Sequence, residues 1–212
     1  MWSGLRGEQC VGAELDALQN ERVRVFHDLV VEENGSVWNF DHIVLTGSGL
    51  LAIETKCRRK KVADQDRHKL TYDGHKINFP DGSYDTENLN QVIRQAKWLR
   101  KSAREWTGDV PVDVTPVLTY PGWFASSTAR GEVVVVNEKQ IRQLLRGNAK
   151  SLDDRSWKLL EKRLEELTRV ELPKDPAEKR IKGANASSRK SRREVFSKVR
   201  TRRVQERPGL GK

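Results

Sequence analysis

Residues 39–56, NFDHIVLTGSGLLAIETK, combine two apolar runs with three charged side chains. The Gly-Ser-Gly sequence between the runs predicts a tight β-hairpin. A two-residue loop at Gly47 and Ser48 would be a type II′ turn, with glycine at the first central position, and would pair Thr46 with Gly49. The charged residues need an explanation, because burying an unpaired charge costs free energy.

The two-residue loop sets a register in which Asp41 falls opposite Glu54. Opposed side chains of an antiparallel pair have Cβ atoms roughly 5 Å apart. Glu54 and Lys56 are two residues apart on one strand and therefore share a face. This register predicts a cluster of Asp41, Glu54 and Lys56, and we prefer it. A three-residue loop over residues 47–49 would slip the register by one and turn Asp41 away from Glu54.

Two opposed carboxylates repel each other and destabilise a hairpin unless something compensates. Lys56 supplies part of the compensation, and a hard divalent cation with oxygen ligands would supply more. A third carboxylate, Glu8, lies on the apolar stripe of a predicted helix with Val11 and Leu15. A carboxylate on a buried helix face needs a partner, and the hairpin cluster is a candidate.

Other polar residues are placed to contact a phosphate. Gln91 and Gln95 are spaced i, i+4 on a predicted helix, share a face, and could hold a water or a phosphate. The sequence CRRKK follows Lys56 directly. It is either a solvated loop or a grip on a phosphate backbone, and the residues expected to bind nucleic acid there are Arg58, Arg59, Lys60 and Lys61.

The hydrophobic pattern predicts an α/β fold with a mixed sheet. The order is a helix, a three-strand meander, a helix, two strands and further helices. Four consecutive valines within the last strand predict a parallel strand buried on both faces. The predicted segments are helices at 7–19 and 89–105, strands at 22–32, 112–120 and 131–137, a small hairpin near 70–77, a short helix capped by Asn137, and a helix opened by Ser151 with an apolar stripe of Trp157, Leu160, Leu164 and Leu167.

The net charge of +10 is concentrated at one end of the chain. The chain holds 40 Lys or Arg and 30 Asp or Glu; residues 174–212 hold 14 and 4 of these, which leaves 26 of each sign elsewhere. Such a segment indicates a polyanion-binding arm, and its low apolar content predicts disorder when free. We therefore divide the chain into a domain over residues 1–173 and a basic tail over residues 174–212.

Cysteine usage and hydropathy predict the compartment. Cys10 and Cys57 lie in no CxxC or Cys/His cluster, so neither a disulfide framework nor a zinc site is expected. The opening MWSGLRGEQC lacks the apolar stretch of a secretory signal, and no apolar run approaches the roughly 20 residues of a membrane span. We expect a cytoplasmic protein in a reducing setting, with no membrane partner.

Several of these motifs occur together in one family. The Asp41 … Glu54-Thr55-Lys56 arrangement resembles the PD-(D/E)xK nuclease superfamily, and the fuller pattern resembles the nuclease-related domain family, NERD. The family's signature has a Gly-Glu in a first helix, an Asp-His-Ile-Val strand, a glycine turn, an Ile-Glu-x-Lys strand and a helix bearing glutamines. The corresponding segments are RGEQCVGAEL, DHIVLTGSGLLAIETK and NLNQVIRQ.

The resemblance extends over roughly residues 2–148. The segments VTPVLTYPGW and GEVVVVNEKQI resemble the second half of the family. The chain departs from the family after Lys56, where CRRKK stands in place of the common Asn-Trp. The basic tail falls outside the resemblance.

The resemblance implies a restriction-endonuclease-like core, a mixed central sheet flanked by helices, and metal-dependent hydrolysis of nucleic-acid phosphodiesters, with DNA as the expected partner. Carried over residue by residue, Asp41 and Glu54 would bind Mg²⁺ or Mn²⁺ together with the carbonyl of Thr55. Glu8 would bind a second metal or a metal-bound water. Lys56 would position the attacking water and stabilise charge on the phosphorane.

These residues together predict a Mg²⁺-dependent deoxyribonuclease. Two alternatives stay open at this point. The fold could serve as a non-catalytic nucleic-acid-binding module, or the Arg-rich tail could belong to an RNA-directed protein.

Overall fold

The computed structural model describes residues 4–33, 35–60, 68–145 and 152–168. All of them belong to one compact unit, Met1–Glu171. The predicted domain boundary at residue 173 and the basic tail lie outside the described residues. In chain order the elements are α1 (Gly4–Asp16), β1 (Val23–Glu33), β2 (Ser36–Thr46), β3 (Gly49–Thr55), β4 (Lys69–Tyr72), β5 (Ile77–Asn78), β6 (Tyr84–Asp85), α2 (Glu87–Trp106), β7 (Val114–Thr119), β8 (Phe124–Ser127), β9 (Val134–Val136), α3 (Ile141–Leu144) and α4 (Asp154–Thr168).

A five-stranded mixed sheet forms the centre of the fold. Its strand order is β1-β2-β3-β7-β9. The first three strands form an antiparallel meander, and β7 and β9 run parallel to β3. The prediction of an α/β fold with a mixed central sheet, consistent with a restriction-endonuclease-like core, is confirmed.

A second, four-stranded sheet has the order β6-β5-β4-β8. The predicted small hairpin is the pair β4 and β5 within it. Strands β6 and β8 were not predicted, because strands of two and four residues carry too little pattern to be recognised.

Helices cover both faces of the central sheet. Leu50 and Ala52 of β3 pack in one core cluster with α2 and α4, whereas Leu51 and Ile53 pack in another with α1 and α3. Because successive side chains of a strand point to opposite faces, these clusters lie on opposite sides of the sheet. Every residue of β3 is buried, as expected for a strand covered on both faces.

The predicted apolar stripes face these clusters. Val11 and Leu15 of α1 are fully buried, and so are Leu160 and Leu164 of α4. Val135 of β9 and Val133, the residue just before this strand, pack against the second sheet, while Val136 packs against the α1 cluster. The predicted parallel strand with two buried faces is therefore confirmed, although it lies at the edge of its sheet.

Local capping differs from the prediction at α4. Ser151, the predicted cap, lies outside the described residues. Asp153 serves as the cap, since its carboxylate accepts hydrogen bonds from the main-chain N–H of Ser156 at 2.8 Å and from the hydroxyl of Ser156 at 2.7 Å. Before α3, the side chain of Asn137 accepts from the N–H groups of Lys139 and Gln140, as a capping residue does.

The hairpin between β2 and β3 has the predicted register but a different turn. Thr46 pairs with Gly49, so the loop has two residues. The predicted type II′ turn is wrong, because Gly47 does not have the positive φ which that turn requires at its first central position. Gly49 instead has a φ of 146°, and a Cβ there would lie 2.4 Å from the carbonyl oxygen of Asp113. The close approach of Asp113, the residue just before β7, therefore demands glycine at residue 49.

Candidate active site

The hairpin register brings Asp41 and Glu54 together. The last ladder pair of β2 and β3 joins His42 to Ile53, so Asp41 and Glu54 occupy the next opposed positions. The main-chain N–H of Thr55 donates to Oδ2 of Asp41 at 2.7 Å. Asp41 and Glu54 are 9% and 3% exposed, so the site is buried at the end of the hairpin.

Each oxygen of the Glu54 carboxylate accepts a hydrogen bond from a side chain. Nζ of Lys56 donates to Oε1 at 2.5 Å, and Nε2 of Gln95 donates to Oε2 at 2.8 Å. Lys56 is partly exposed, with 29% of its side chain accessible, and so offers its charge to both the buried acid and solvent. These contacts fix the orientation of the Glu54 carboxylate.

The pKa of Asp41 is raised from 3.8 to about 7. Burial is the main cause, and the negative charge of Glu54 is the next; Glu8 adds to the effect. The Thr55 N–H and the charge of Lys56 oppose the shift without cancelling it. Burial first, and repulsion from Glu54 second, therefore favour the protonated form of Asp41 and hold its pKa near neutral.

Glu8 on α1 contributes to the same electrostatic site. Its pKa is raised by burial first, then by the charges of Asp28 and Glu54, while Lys56 lowers it. The preceding residue is glycine because α1 passes close to the end of the hairpin: a Cβ on Gly7 would lie 2.0 Å from Sγ of Cys57. This close approach brings Glu8 within electrostatic reach of the hairpin acids.

Asp28 is a further acidic residue near the site that sequence reasoning missed. The register of β1 with β2 is the same on both sides of Asp28, which places it opposite Asp41. Its φ is 52°, in the left-handed region that non-glycine residues rarely adopt. In a regular strand, Phe26 and Leu29 would face opposite sides of the sheet, because they are three residues apart. Both pack in the α2 cluster, so the conformation of Asp28 reverses the in–out alternation of the side chains. An acid at a break in an apolar alternation was the signal available in the sequence.

The donor chemistry of this site fits a hard divalent cation. Within the ranges that the structure describes, no three His, Cys, Asp or Glu side chains form a group able to hold a metal ion by themselves. Asp41 and Glu54 supply two carboxylates, and Oδ1 of Asp41 has no hydrogen-bond partner among the described residues. Mg²⁺ is usually bound by one or two carboxylates together with waters and substrate phosphates, so this pair is a sufficient protein contribution.

Thr55 is buried between the two acids and β7. Its N–H binds Asp41, and its hydroxyl accepts a hydrogen bond from the hydroxyl of Thr119 at 3.1 Å. Thr119 also donates to the carbonyl of Glu54 at 3.2 Å. These contacts hold the end of β3 against β7, and the use of the Thr55 carbonyl as a metal ligand stays a prediction.

The two glutamines of α2 have different surroundings. Gln95 is 3% exposed and joins the site through Glu54 and through the carbonyl of Asn39, to which Nε2 donates at 3.2 Å. Its Oε1 is buried with no hydrogen-bond partner among the described residues. Gln91 is half-buried and lines an adjacent pocket with Arg94.

The basic segment after β3 is partly engaged within the protein. Arg58 pairs with Asp81 at 3.1 Å and lies over the ring of Phe79, with its guanidinium carbon 3.8 Å from the ring centroid. Lys60 donates to the carbonyl of Gly122 at 2.7 Å. Arg59 is exposed, and Lys61 lies outside the described residues.

The family model of the nuclease-related domain matches residues 3–121, more than half of the chain. The chain belongs to the nuclease-related domain family. The NERD match contains Glu8, Asp41, Glu54, Lys56 and Gln95. It ends before the segment GEVVVVNEKQI, which the predicted resemblance over residues 2–148 had included.

No curated protein and no solved structure gives a significant match to this NERD chain. Among the described residues, no helix is both long enough and apolar enough to cross a membrane. The family and its name indicate a nuclease-related function and an interaction with nucleic acid.

Proposed function

We propose that this NERD protein is a metal-dependent nuclease that hydrolyses phosphodiester bonds of DNA at the site formed by Asp41, Glu54 and Lys56. The observation that carries the proposal is the buried pair Asp41 and Glu54, with the Lys56 ammonium 2.5 Å from Glu54. Two buried acids beside a cation are costly to maintain. A hydrolytic site gives them a use.

Asp41 and Glu54 would hold Mg²⁺ or Mn²⁺, with the Thr55 carbonyl as a further ligand and Glu8 bound to a second metal or a metal-bound water. When bound, such a cation lowers the pKa of a coordinated water and neutralises phosphate charge. The chain's own residues do the positioning. Gln95 and Lys56 orient Glu54, and the Thr55 N–H orients Asp41.

Lys56 has two roles in this account. Its ammonium lies at the partly exposed edge of the site, where it can donate a hydrogen bond to the attacking water. A fixed positive charge also stabilises the negative charge that develops on the phosphate, and such preorganised electrostatics usually contribute most to catalysis.

Basic residues around the site would hold the nucleic-acid backbone. We assign this role to Arg58, Arg59, Lys60 and Lys61, and to the segment 174–212, whose charge adds affinity without sequence preference. Gln91, which is half-buried, would contact the substrate from α2, whereas the buried Gln95 would act on the substrate through Glu54. The expected compartment is the cytoplasm.

The test is cleavage of supercoiled plasmid and of single-stranded DNA by the full chain in Mg²⁺, Mn²⁺ or EDTA. Wild type is compared with Glu54→Gln and with Glu21→Gln, an exposed control outside the site. We expect metal-dependent cleavage by wild type and Glu21→Gln that Glu54→Gln loses. If the wild type binds DNA but cuts neither substrate with either metal, the enzyme assignment fails and the non-catalytic binding module replaces it.

A further inference from the structure

A pocket of about 320 Å³ lies between β2 and α2 beside the candidate active site. We call it the β2–α2 pocket. Its volume falls within the range of about 300–1,000 Å³ that small-molecule sites occupy. The residues that line it are Glu33, Trp38, Asn39, Gln91, Arg94 and Gln95.

Gln95 belongs both to this pocket and to the candidate active site. Its side-chain amide donates to the carbonyl of Asn39, a pocket residue, and to the carboxylate of Glu54. A single side chain therefore separates the pocket from the acid that would hold the metal. A ligand group in the pocket would therefore lie beside the side chain that orients Glu54.

Trp38 offers a rigid aromatic surface in the pocket. The ring is only partly buried and is held by two neighbours: its centroid lies 5.0 Å from that of Phe40 and 5.5 Å from that of Trp98, the latter in a T-shaped contact. An indole fixed in this way loses little conformational entropy when it stacks on a ligand. Nucleobases stack on such aromatic rings irrespective of sequence.

The polar groups of the pocket suit the edge of a nucleobase. Within the described part of the chain, the side-chain amides of Asn39 and Gln91 have no hydrogen-bond partner, and each offers both donors and an acceptor. Glu33 adds a carboxylate that can accept from an exocyclic amino group. A base thus finds both a stacking surface and free polar groups in the same cavity.

A row of cations continues from the pocket along α2. Arg94, Lys97 and Lys101 follow at spacings of three and four residues and so lie on one helix face. All three are exposed and have no ion pair among the described residues. They extend over roughly 10 Å of helix, given a rise of about 1.5 Å per residue, and can therefore contact successive phosphates of one strand.

We propose that the β2–α2 pocket binds one unpaired nucleobase of the DNA strand that is cut, and that the substrate therefore contains a single-stranded segment at the cleaved bond. The proposal rests on the proposed nuclease function in taking DNA as the ligand. A base inside a duplex is stacked and paired and cannot place its face on Trp38 without first leaving the helix. A single strand needs no such step.

The test is an affinity measurement in EDTA, which does not depend on cleavage. Fluorescein-labelled single-stranded DNA, its blunt duplex and an abasic strand of the same length are titrated with the full chain. Trp38→Leu is compared with Trp106→Leu, a matched control: Trp106 is also partly buried and also contacts Trp98, at 6.1 Å, but does not line the pocket. Arg94→Ala is compared with Arg142→Ala, an exposed arginine on α3.

We expect Trp38→Leu to weaken binding of single-stranded DNA by about fivefold to 150-fold, which corresponds to ~1–3 kcal/mol of base–aromatic stacking. Trp106→Leu should leave this affinity unchanged. The abasic strand should bind wild type more weakly than the normal strand, and Trp38→Leu should largely abolish that difference. Arg94→Ala should weaken the normal and the abasic strand equally.

The proposal is overturned if Trp38→Leu and Trp106→Leu weaken binding equally, or if wild type binds the abasic strand as tightly as the normal one. The result is separable from the nuclease assignment. If binding depends on Trp38 but no metal supports cleavage, the base-binding pocket is supported and the nuclease function is rejected. If cleavage depends on metal but binding does not depend on Trp38, the nuclease function is supported and the base-binding pocket is rejected.

Discussion

Gln95 donates its side-chain amide to Oε2 of Glu54 at 2.8 Å, and this hydrogen bond joins α2 to the end of β3. Lys56 binds the other oxygen of the same carboxylate. The carboxylate is therefore held from two directions before any ligand arrives. In the proposed metal site, these two contacts would fix the orientation of a ligand.

Replacing Gln95 with alanine should reduce both metal affinity and activity. Loss of a group that orients a metal ligand typically costs about 10–100-fold in metal affinity or activity. We expect Gln95→Ala to lower the Mg²⁺ affinity measured by titration calorimetry and to lower kcat in the same range. Gln143→Ala, an exposed glutamine on α3, is the control. Unchanged Mg²⁺ affinity in Gln95→Ala would contradict the positioning role.

Asp41 should make the metal-free protein less stable as the pH rises. Its pKa is about 7 in the folded protein against an ordinary value of 3.8, so the folded state binds this proton more tightly than the unfolded state. The resulting stability is fully present below the ordinary pKa and is lost as the pH rises through the folded one.

The measurement is urea unfolding of wild type and Asp41→Asn in EDTA, at about pH 5 and about pH 8. The free energy of unfolding of wild type relative to that of Asp41→Asn should decrease from the lower pH to the higher one. Other titrating groups are common to both proteins, so their contributions cancel in this difference. Mg²⁺ should restore wild-type stability at the higher pH and have little effect on Asp41→Asn. A pH-independent difference would show that Asp41 titrates normally.

Two glycines of the hairpin differ in backbone strain, so the same substitution at each can be compared. Gly49→Ala should lower the free energy of unfolding by about 1–3 kcal/mol, because the φ of 146° is strained for alanine and its Cβ would meet Asp113. Gly47→Ala should change stability by no more than ~1 kcal/mol, as a Cβ there meets nothing within 4 Å. Thermal or chemical unfolding compares the two. Equal losses would contradict the turn geometry.

The basic segment 174–212 should supply salt-dependent affinity. Removing it should weaken DNA binding and flatten the plot of log affinity against log salt concentration, because fewer counterions are released. A chain of equal length in which Gly and Ser replace this segment is the control for tethering and size. If the slope is the same for all three proteins, the segment has another role.

Much of the candidate site was predictable because it depends on local rules. The two-residue loop fixes the register, and the register alone places Asp41 opposite Glu54 and Lys56 beside Glu54. The position of Glu8 followed from helical spacing. These inferences need only the periods of helices and strands.

Other features depend on tertiary contacts that no local pattern carries. The turn type was wrong because the close approach of Asp113 sets the conformation at Gly49, not at Gly47. For Asp28 the sequence shows only an acid at a break in the apolar alternation; its left-handed conformation and its position opposite Asp41 appear only in the folded sheet. The separate roles of Gln91 and Gln95 arise from where α2 crosses the sheet, and sequence spacing shows only that they share a face.

The central claim is that Asp41, Glu54 and Lys56 form a metal-dependent hydrolytic centre. The most direct test is the single-turnover rate of DNA cleavage at saturating Mg²⁺ and saturating DNA, for wild type and Lys56→Met. Lys56→Met removes a fixed charge without removing a metal ligand. We predict a loss of roughly 10²–10³-fold in rate with DNA affinity retained, as expected for loss of one electrostatic stabiliser. Equal rates for the two proteins would contradict the account.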